Sequence, residues 1–196
     1  MKSDRYFDEL AIHLPAVRGK IEVNAPLAPY TWFRVGGPAD ILFTPLDRVD
    51  LTEFLAGCPD DMPISVIGVG SNLLVRDGGI PGVSIRLGSE FHKLRVIDQT
   101  IVAGAGTPNS KLANLARENS IAGMEFLCGI PGSLGGSISM NAGAFDCEVK
   151  DLLEHITVIS RSGERVALSS DQINFGYRYS DISSDLIIVE ARKWMF

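Results

Sequence analysis

The sequence predicts an α+β fold of two packed subdomains, about 31–90 and about 91–196, behind a lead-in over residues 1–30. Three observations carry this. Residues 31–90 alternate strand, helix, strand, loop and strand, as a compact α/β unit does. From Lys93 the texture changes to short β-prone runs divided by turn signals, the pattern of a largely antiparallel sheet. Two glycine-rich stretches, Gly68–Gly79 and Cys128–Phe145, fall one in each half. The 196 residues, 45% hydrophobic, are enough to bury a core.

In the lead-in, Tyr6, Leu10 and Leu14 stand at helical spacing, with Ser3 as an N-cap and Pro15 as a stop, so a short helix is expected. IEVNAPLAPYTWFRVGGPADILFTP reads as extended chain, with a turn at Gly36-Gly37-Pro38 and a strand at Ile41–Phe43. Trp32 and Phe33 are expected to face the core. Arg34 either offers forked donors to an anion or is an exposed strand residue. Asp47–Ala56 carries Leu51, Phe54 and Leu55 on one face behind an acidic first turn, and Gly57 follows as a stop: an amphipathic helix. Ile64–Ile67 is expected as a buried strand running straight into GVGSNLLVRDGG, and Val83–Leu87 is the next strand. A ligand is expected at the C-terminal mouth of such strands.

In the second half LRVID, TIVAGAG, ITVIS, ERVALS and LIIVEARKWM are the strand candidates. One helix interrupts them, with Thr107 as N-cap, Pro108 at its first position and Leu112, Leu115 and Ala116 on one face. In NFGYRYS the residues Tyr177, Arg178 and Tyr179 alternate as in a strand or its entry. Arg178 is either a snorkelling surface residue or a fork for a carboxylate.

Cys128–Phe145 contains five glycines and almost no charge. Glycine lets a chain turn through positive φ and bring several backbone N–H groups against a bulky ligand, most often a phosphate; otherwise such a run merely permits dense packing. A second such loop, with the Ser71 hydroxyl and the Asn72 amide, suits one shared pyrophosphate ligand. A Walker A loop is excluded by the lack of Gly-Lys-Ser/Thr, and a Rossmann fingerprint by Leu73 where a third glycine is needed.

Composition removes other classes. The net charge of −6 is spread along the chain without a Lys/Arg block, which argues against nucleic acid. Cys58, Cys128 and Cys147 lack metal or disulfide spacing and are expected as buried thiols; His13, His92 and His155 form no ligand set, so no metal is expected. No apolar run reaches a membrane span and no leader-like block opens the chain, so a cytoplasmic protein is expected.

In order and spacing, YTWFRVGGPADILF, VIGVGSNLLVRDGGIPGVSIRLG, AGMEFLCGIPGSLGGSISMNAGAF and FGYRYS together resemble the UDP-N-acetylenolpyruvoylglucosamine reductases of peptidoglycan synthesis. The resemblance implies an FAD-binding fold of the PCMH or vanillyl-alcohol-oxidase type, with non-covalent FAD held between two α+β subdomains. By motif match Gly68, Gly70, Ser71 and Asn72 would line the pyrophosphate. Gly129, Ile130, Pro131, Gly132, Gly135, Gly136, Asn141 and Ala142 would wrap the rest, mainly through backbone. It further implies NADPH as reductant, a UDP-sugar enolpyruvate as substrate and UDP-N-acetylmuramate as product. Arg178, preceded by Tyr177, would stabilise charge developing on the substrate carboxylate. Family members continue into a third domain with a proton-donating serine and a late glutamate. The sequence stops first and drifts from the pattern after Val189, so a truncated form is expected, its third domain absent or supplied by a separate chain. None of the serines present matches the missing donor. The alternative is a catalytically silent FAD-binding module.

Overall fold

The computed structural model describes residue 6 and residues 10–193, in two compact units. One runs to Gly88 and includes Ser160–Glu164; the other comprises Ser89–Ile159 and the chain from Arg165. Of the expected N-terminal helix, Tyr6 and residues 10–12 are helical, while Ser3 and its capping role lie outside the described residues.

The first unit is built on strands β1 (Lys20–Pro26), β2 (Pro38–Thr44), β3 (Ile64–Ile67) and β4 (Ile80–Arg86), with helix α1 (Arg48–Gly57) between β2 and β3. The sheet order is β1-β2-β4-β3. β1 is antiparallel to β2, with Lys20 opposite Thr44 and Pro26 opposite Pro38, whereas β2 and β3 both run parallel to β4. β2 is buried on both faces, as a central strand requires, and so reads as a run, ADILF, rather than an alternation. Its one carboxylate, Asp40, accepts from the Gly82 N–H at 3.2 Å and the Tyr6 hydroxyl at 3.1 Å.

Helix α1 begins where the sequence places it. The Asp47 carboxylate accepts from the Asp50 N–H at 2.9 Å, the usual N-cap bond, and from Arg18 Nη2 at 2.6 Å. Leu51, Phe54 and Leu55 are buried, and the Phe54 ring lies 4.3 Å from that of Phe43 on β2. Asp50 has a second task. Its buried carboxylate accepts from the N–H groups of Arg18 at 2.6 Å, Gly19 at 2.9 Å and Leu46 at 2.8 Å, fastening the approach to β1 against the start of the helix.

The second unit has a five-stranded sheet made of β5 (Leu94–Ile97), β6 (Thr100–Gly104), β9 (Leu153–Ser160), β10 (Arg165–Ser169) and β13 (Leu186–Lys193), in the order β10-β9-β13-β6-β5. The pairs β10·β9, β13·β6 and β5·β6 are antiparallel. Between β6 and β9 lie helices α2 (Asn109–Glu118) and α3 (Leu134–Ser139) and the small hairpin β7 (Gly143–Ala144) and β8 (Cys147–Glu148). A second hairpin, β11 (Phe175–Gly176) and β12 (Tyr179–Ser180), precedes β13. Ile101, Leu112, Leu127, Leu134, Ile138, Val149, Ile156 and Val189 are fully buried, so both helices and the sheet share this core.

Four expectations are corrected. Trp32 and Phe33 are 64% and 73% exposed: Ala28–Tyr30 forms a 3₁₀ turn, and Thr31 takes the inward position, its hydroxyl donating to Val35 O at 3.0 Å. β3 lies at the edge of its sheet, so of its four residues only Ile67 is buried and Val66 is exposed. Helix α2 starts at Asn109 with Pro108 as N-cap, because Pro108 is extended (φ −61, ψ 137) and the buried Thr107 hydroxyl makes no capping bond. Of the two readings of NFGYRYS the entry holds: Tyr177 and Arg178 form the turn of the β11–β12 hairpin and lead into Tyr179 on β12. Of the three cysteines only Cys58 is buried, and burial pushes its thiol up; Cys128 and Cys147 are exposed, since Phe126, Leu127 and Val149 take the inward places near them. Asp50→Ala leaves three N–H groups without their acceptor and is expected to cost about 3 kcal/mol in urea unfolding. A loss below about 1 kcal/mol would remove Asp50 from that role.

Candidate functional site

The first glycine-rich loop leaves the C-terminal end of β3 and returns into β4. Gly70 is buried at φ +69, and a Cβ there would stand 1.9 Å from Tyr30 O; its own carbonyl accepts from the Trp32 N–H at 3.2 Å. Only glycine allows the loop to lie this close to residues 28–32. Beside this seam opens a cleft of ≈ 400 Å³ lined by Tyr30, Trp32, Arg34, Gly68, Val69 and Arg86 among others. Two arginines thus line one concavity, and the Arg86 guanidinium lies 4.7 Å from the centre of the Tyr30 ring. Gly68 and Asn72 are exposed and Ser71 is half-buried. Arg34 is exposed and lines this cleft with Gly68 and Val69. Arg86 is not among the residues the sequence singles out, although its place at the C-terminal end of a parallel strand was a signal for it.

The second glycine-rich loop is sewn to the β6–α2 connection by backbone. Leu134 N–H donates to Thr107 O at 2.8 Å, Gly135 N–H to Ala105 O at 2.8 Å, and Asn109 N–H to Gly132 O at 3.0 Å. The Asn109 amide adds bonds to Ile130 O at 3.0 Å and Ser137 Oγ at 2.7 Å. The glycines then divide by environment. A Cβ on Gly135 would meet Ala105 Cβ at 3.0 Å, so Gly135 serves the packing of α3 onto the end of β6 and its N–H is already committed. Gly129 and Gly136 are exposed, and a Cβ there would meet only Phe145 at 3.8 Å and Ser133 Oγ at 3.6 Å. These two present bare backbone outward, beside exposed Pro131 and half-buried Ile130 and Gly132.

Asn141 and Ala142 are buried. Asn141 has φ +39; its amide nitrogen donates to Gly176 O at 3.0 Å and its amide oxygen accepts from the Lys150 N–H at 3.1 Å. Beyond it, Phe145 and Asp146 (φ 54 and 61) make the two-residue turn of β7–β8, the primed geometry that suits a tight hairpin. Arg178, at φ 54 in the neighbouring hairpin turn, donates from Nη2 to Gly143 O at 2.8 Å, and its guanidinium lies 4.9 Å from the Tyr177 ring centre. The Ser180 hydroxyl donates to Ser139 O at 2.9 Å, which ties the same hairpin to α3. Left-handed backbone at several non-glycine residues in one place is strain of the kind found at functional sites.

Tyr177 and Phe145 are each 84% exposed, so two uncovered rings accompany the arginine at these turns. The Glu148 carboxyl is held below the usual carboxylate range, first by its bond to Lys150, with Nζ at 2.6 Å, then by Asn141 and the charge of Arg178. Gly129, Gly136, Phe145, Tyr177 and Arg178 are exposed, bringing bare backbone, aromatic edges and a cation to the outside of this unit, while Asn141 and Ala142 lie inside it. This is suited to a flat, anionic ligand. Among the described residues no group of His, Cys, Asp and Glu is placed to hold a metal, and no helix is long and apolar enough to cross a membrane.

Residues 39–169 match the family model described as FAD binding domain. The UDP-N-acetylenolpyruvoylglucosamine reductase of Azorhizobium caulinodans is 50% identical over 182 residues, 93% of this chain and 59% of that protein. That of Rhodospirillum rubrum is 49% identical over 174 residues, 89% of this chain and 54% of that protein. The crystal structure of the UDP-N-acetylenolpyruvylglucosamine reductase (MurB) from Thermus caldophilus aligns with a TM-score of 0.77 at 34% identity, covering 92% of this chain and 63% of that one. The chain thus spans about three-fifths of the length of the relatives it matches. By a family model that covers most of its length, the chain belongs to the FAD-binding domain family, and the relatives half identical to it are UDP-N-acetylenolpyruvoylglucosamine reductases.

Proposed function

We propose that the chain binds FAD non-covalently and takes part in the NADPH-dependent reduction of UDP-N-acetylglucosamine enolpyruvate to UDP-N-acetylmuramate, a cytoplasmic step of peptidoglycan synthesis. The observation that carries it is the Arg178 guanidinium, exposed, held by one bond to Gly143 O and set beside the second glycine-rich loop with its bare backbone at Gly129 and Gly136. Within the second unit, the open backbone at Gly129 and Gly136 supports an anionic ligand; within the first, the cleft lined by Arg34 and Arg86 does so by itself. In the first unit Gly68, Gly70, Ser71 and Asn72 would hold FAD. In the second, Gly129, Ile130, Pro131, Gly132 and Gly136 would do so, with Gly135, Asn141 and Ala142 fixing the loop's shape, since the Ala142 N–H donates to Ser137 O at 2.8 Å and its carbonyl accepts from the Val149 N–H at 3.0 Å.

When bound, FAD would supply the acceptor and donor of the hydride. The chain's own residues bind and orient. Arg178 would place a delocalised positive charge on the substrate carboxylate, where negative charge grows as the double bond is reduced, so its effect is larger in the transition state than in the ground state. Its Nη2 is already spent on Gly143 O, which leaves the rest of the fork for that carboxylate. Tyr177, stacked beside the guanidinium, limits the directions in which it swings. The proposed partners are the UDP-sugar and NADPH. A second reading, a silent FAD-binding module, keeps both glycine-rich loops and gives Arg178 only its bond to Gly143 O.

Reconstituted with FAD, the purified chain is expected to show a flavin spectrum that bleaches with NADPH in the absence of oxygen. A spectrum that stays unbleached selects the silent module, and failure to bind flavin overturns both readings. Arg178→Ala is expected to keep FAD while slowing substrate-dependent reoxidation of the reduced flavin by about 10² to 10³; loss of flavin would give Arg178 a different task. Because the Glu148 carboxyl is lowered, the stability its pairing adds is present above the ordinary carboxylate range and is lost as pH falls through the lowered midpoint. Carbon-detected NMR titration should find that midpoint depressed and should find it raised in Lys150→Met. An unchanged midpoint would remove the pairing.

A further inference from the structure

Asn141 is fully buried, and its side chain is used entirely within the protein. Its amide nitrogen holds Gly176 O, on the residue of β11 directly before the Tyr177–Arg178 turn. Its amide oxygen holds the N–H of Lys150, in the 3₁₀ turn that follows β8. One planar group therefore joins the β11–β12 hairpin to the chain that closes the β7–β8 hairpin. Arg178 is stretched across the same gap, since it leaves the first of these hairpins and bonds Gly143 O on the second. The backbone of Asn141, at φ +39, is in the left-handed region that asparagine tolerates better than most side chains.

We propose that Asn141 is a positioning residue for Arg178: its side-chain amide fixes the separation of the two hairpins and so fixes where the guanidinium points. This rests on the reading of Arg178 as the carboxylate-binding cation, but it concerns the arginine's placement and is tested without turnover. The alternative task for a buried asparagine beside a glycine-rich loop is a side-chain contact with the cofactor. Both ends of the amide are already paired inside the protein, which leaves the side chain little to offer a ligand.

Two substitutions separate the bonds. Asn141→Asp keeps an acceptor for Lys150 N–H but loses the donor to Gly176 O and to the Glu148 carboxylate. Asn141→Gly loses both and retains the positive φ. In the FAD-loaded chain, hydrogen exchange across residues 174–181 is expected to quicken about tenfold in both variants, with exchange in β6, β9 and β13 unchanged and FAD retained. The Arg178 Nε–H resonance is expected to narrow as the side chain gains freedom. Unchanged exchange and an unchanged Arg178 signal in a folded variant overturn the proposal, as does loss of FAD with the hairpin unaltered. Should neither variant fold, the side-chain amide protons of Asn141 in the unsubstituted chain decide: slow exchange supports the clamp, and exchange at the rate of an exposed amide overturns it. If instead Arg178→Ala leaves substrate-dependent flavin reoxidation unchanged while the exchange results hold, the functional reading of Arg178 fails and the clamp stands.

Discussion

The backbone bonds that fasten the second glycine-rich loop to the β6–α2 connection are the constraint on which the rest of the second unit depends. A stretch with so many glycines has few side chains to bury, so it cannot be held by packing alone. Paired N–H and carbonyl groups replace that packing: Leu134 with Thr107, Gly135 with Ala105 and Asn109 with Gly132. Once these are made, α3 has a fixed start, Leu134 and Ile138 reach the core, and the chain beyond Ser139 leaves at a set place. The β7–β8 hairpin, Gly143 O and the anchor of Arg178 follow from that.

The first unit solves a similar problem differently. Its loop is short of side chains at Gly68 and Gly70, and it is secured by close approach to residues 28–32, with Thr31 turned inward to brace the opposite wall. The same inward turn of Thr31 leaves Trp32 and Phe33 outside. The charge of the cleft comes from residues on either side of the loop, Arg34 before it and Arg86 after it. Backbone supplies the shape and the two arginines supply the sign of the potential.

Much of this was legible in the sequence because it depends on local chemistry. Asp47 before a helical face, ISVI before a glycine run and alternating β-prone segments each carry their signal within a few residues. The two loops were legible because glycine is the residue with that freedom. What the sequence hid depends on contacts between distant residues. Asp50 looks like an acid placed for the helix dipole, and only the fold reveals three N–H groups around it. Trp32 and Phe33 look like core residues until a 3₁₀ turn reverses the side-chain order. Gly135 and Gly136 are neighbours of identical type, yet one faces Ala105 and the other faces outward. Asn141 reads as part of a ligand loop, and its partners lie 35 and 9 residues away.

The distribution of thiols gives the molecule an unplanned handle. Cys58 is buried with its thiol pushed up, whereas Cys128 and Cys147 are exposed and bracket the second glycine-rich loop. A maleimide dye at neutral pH would therefore mark the two ends of that loop and spare the first unit, with no engineered cysteine. For the same reason the chain handled in air is open to cross-linking through its surface thiols, and a covalent dimer that vanishes with reductant would report on storage rather than on assembly.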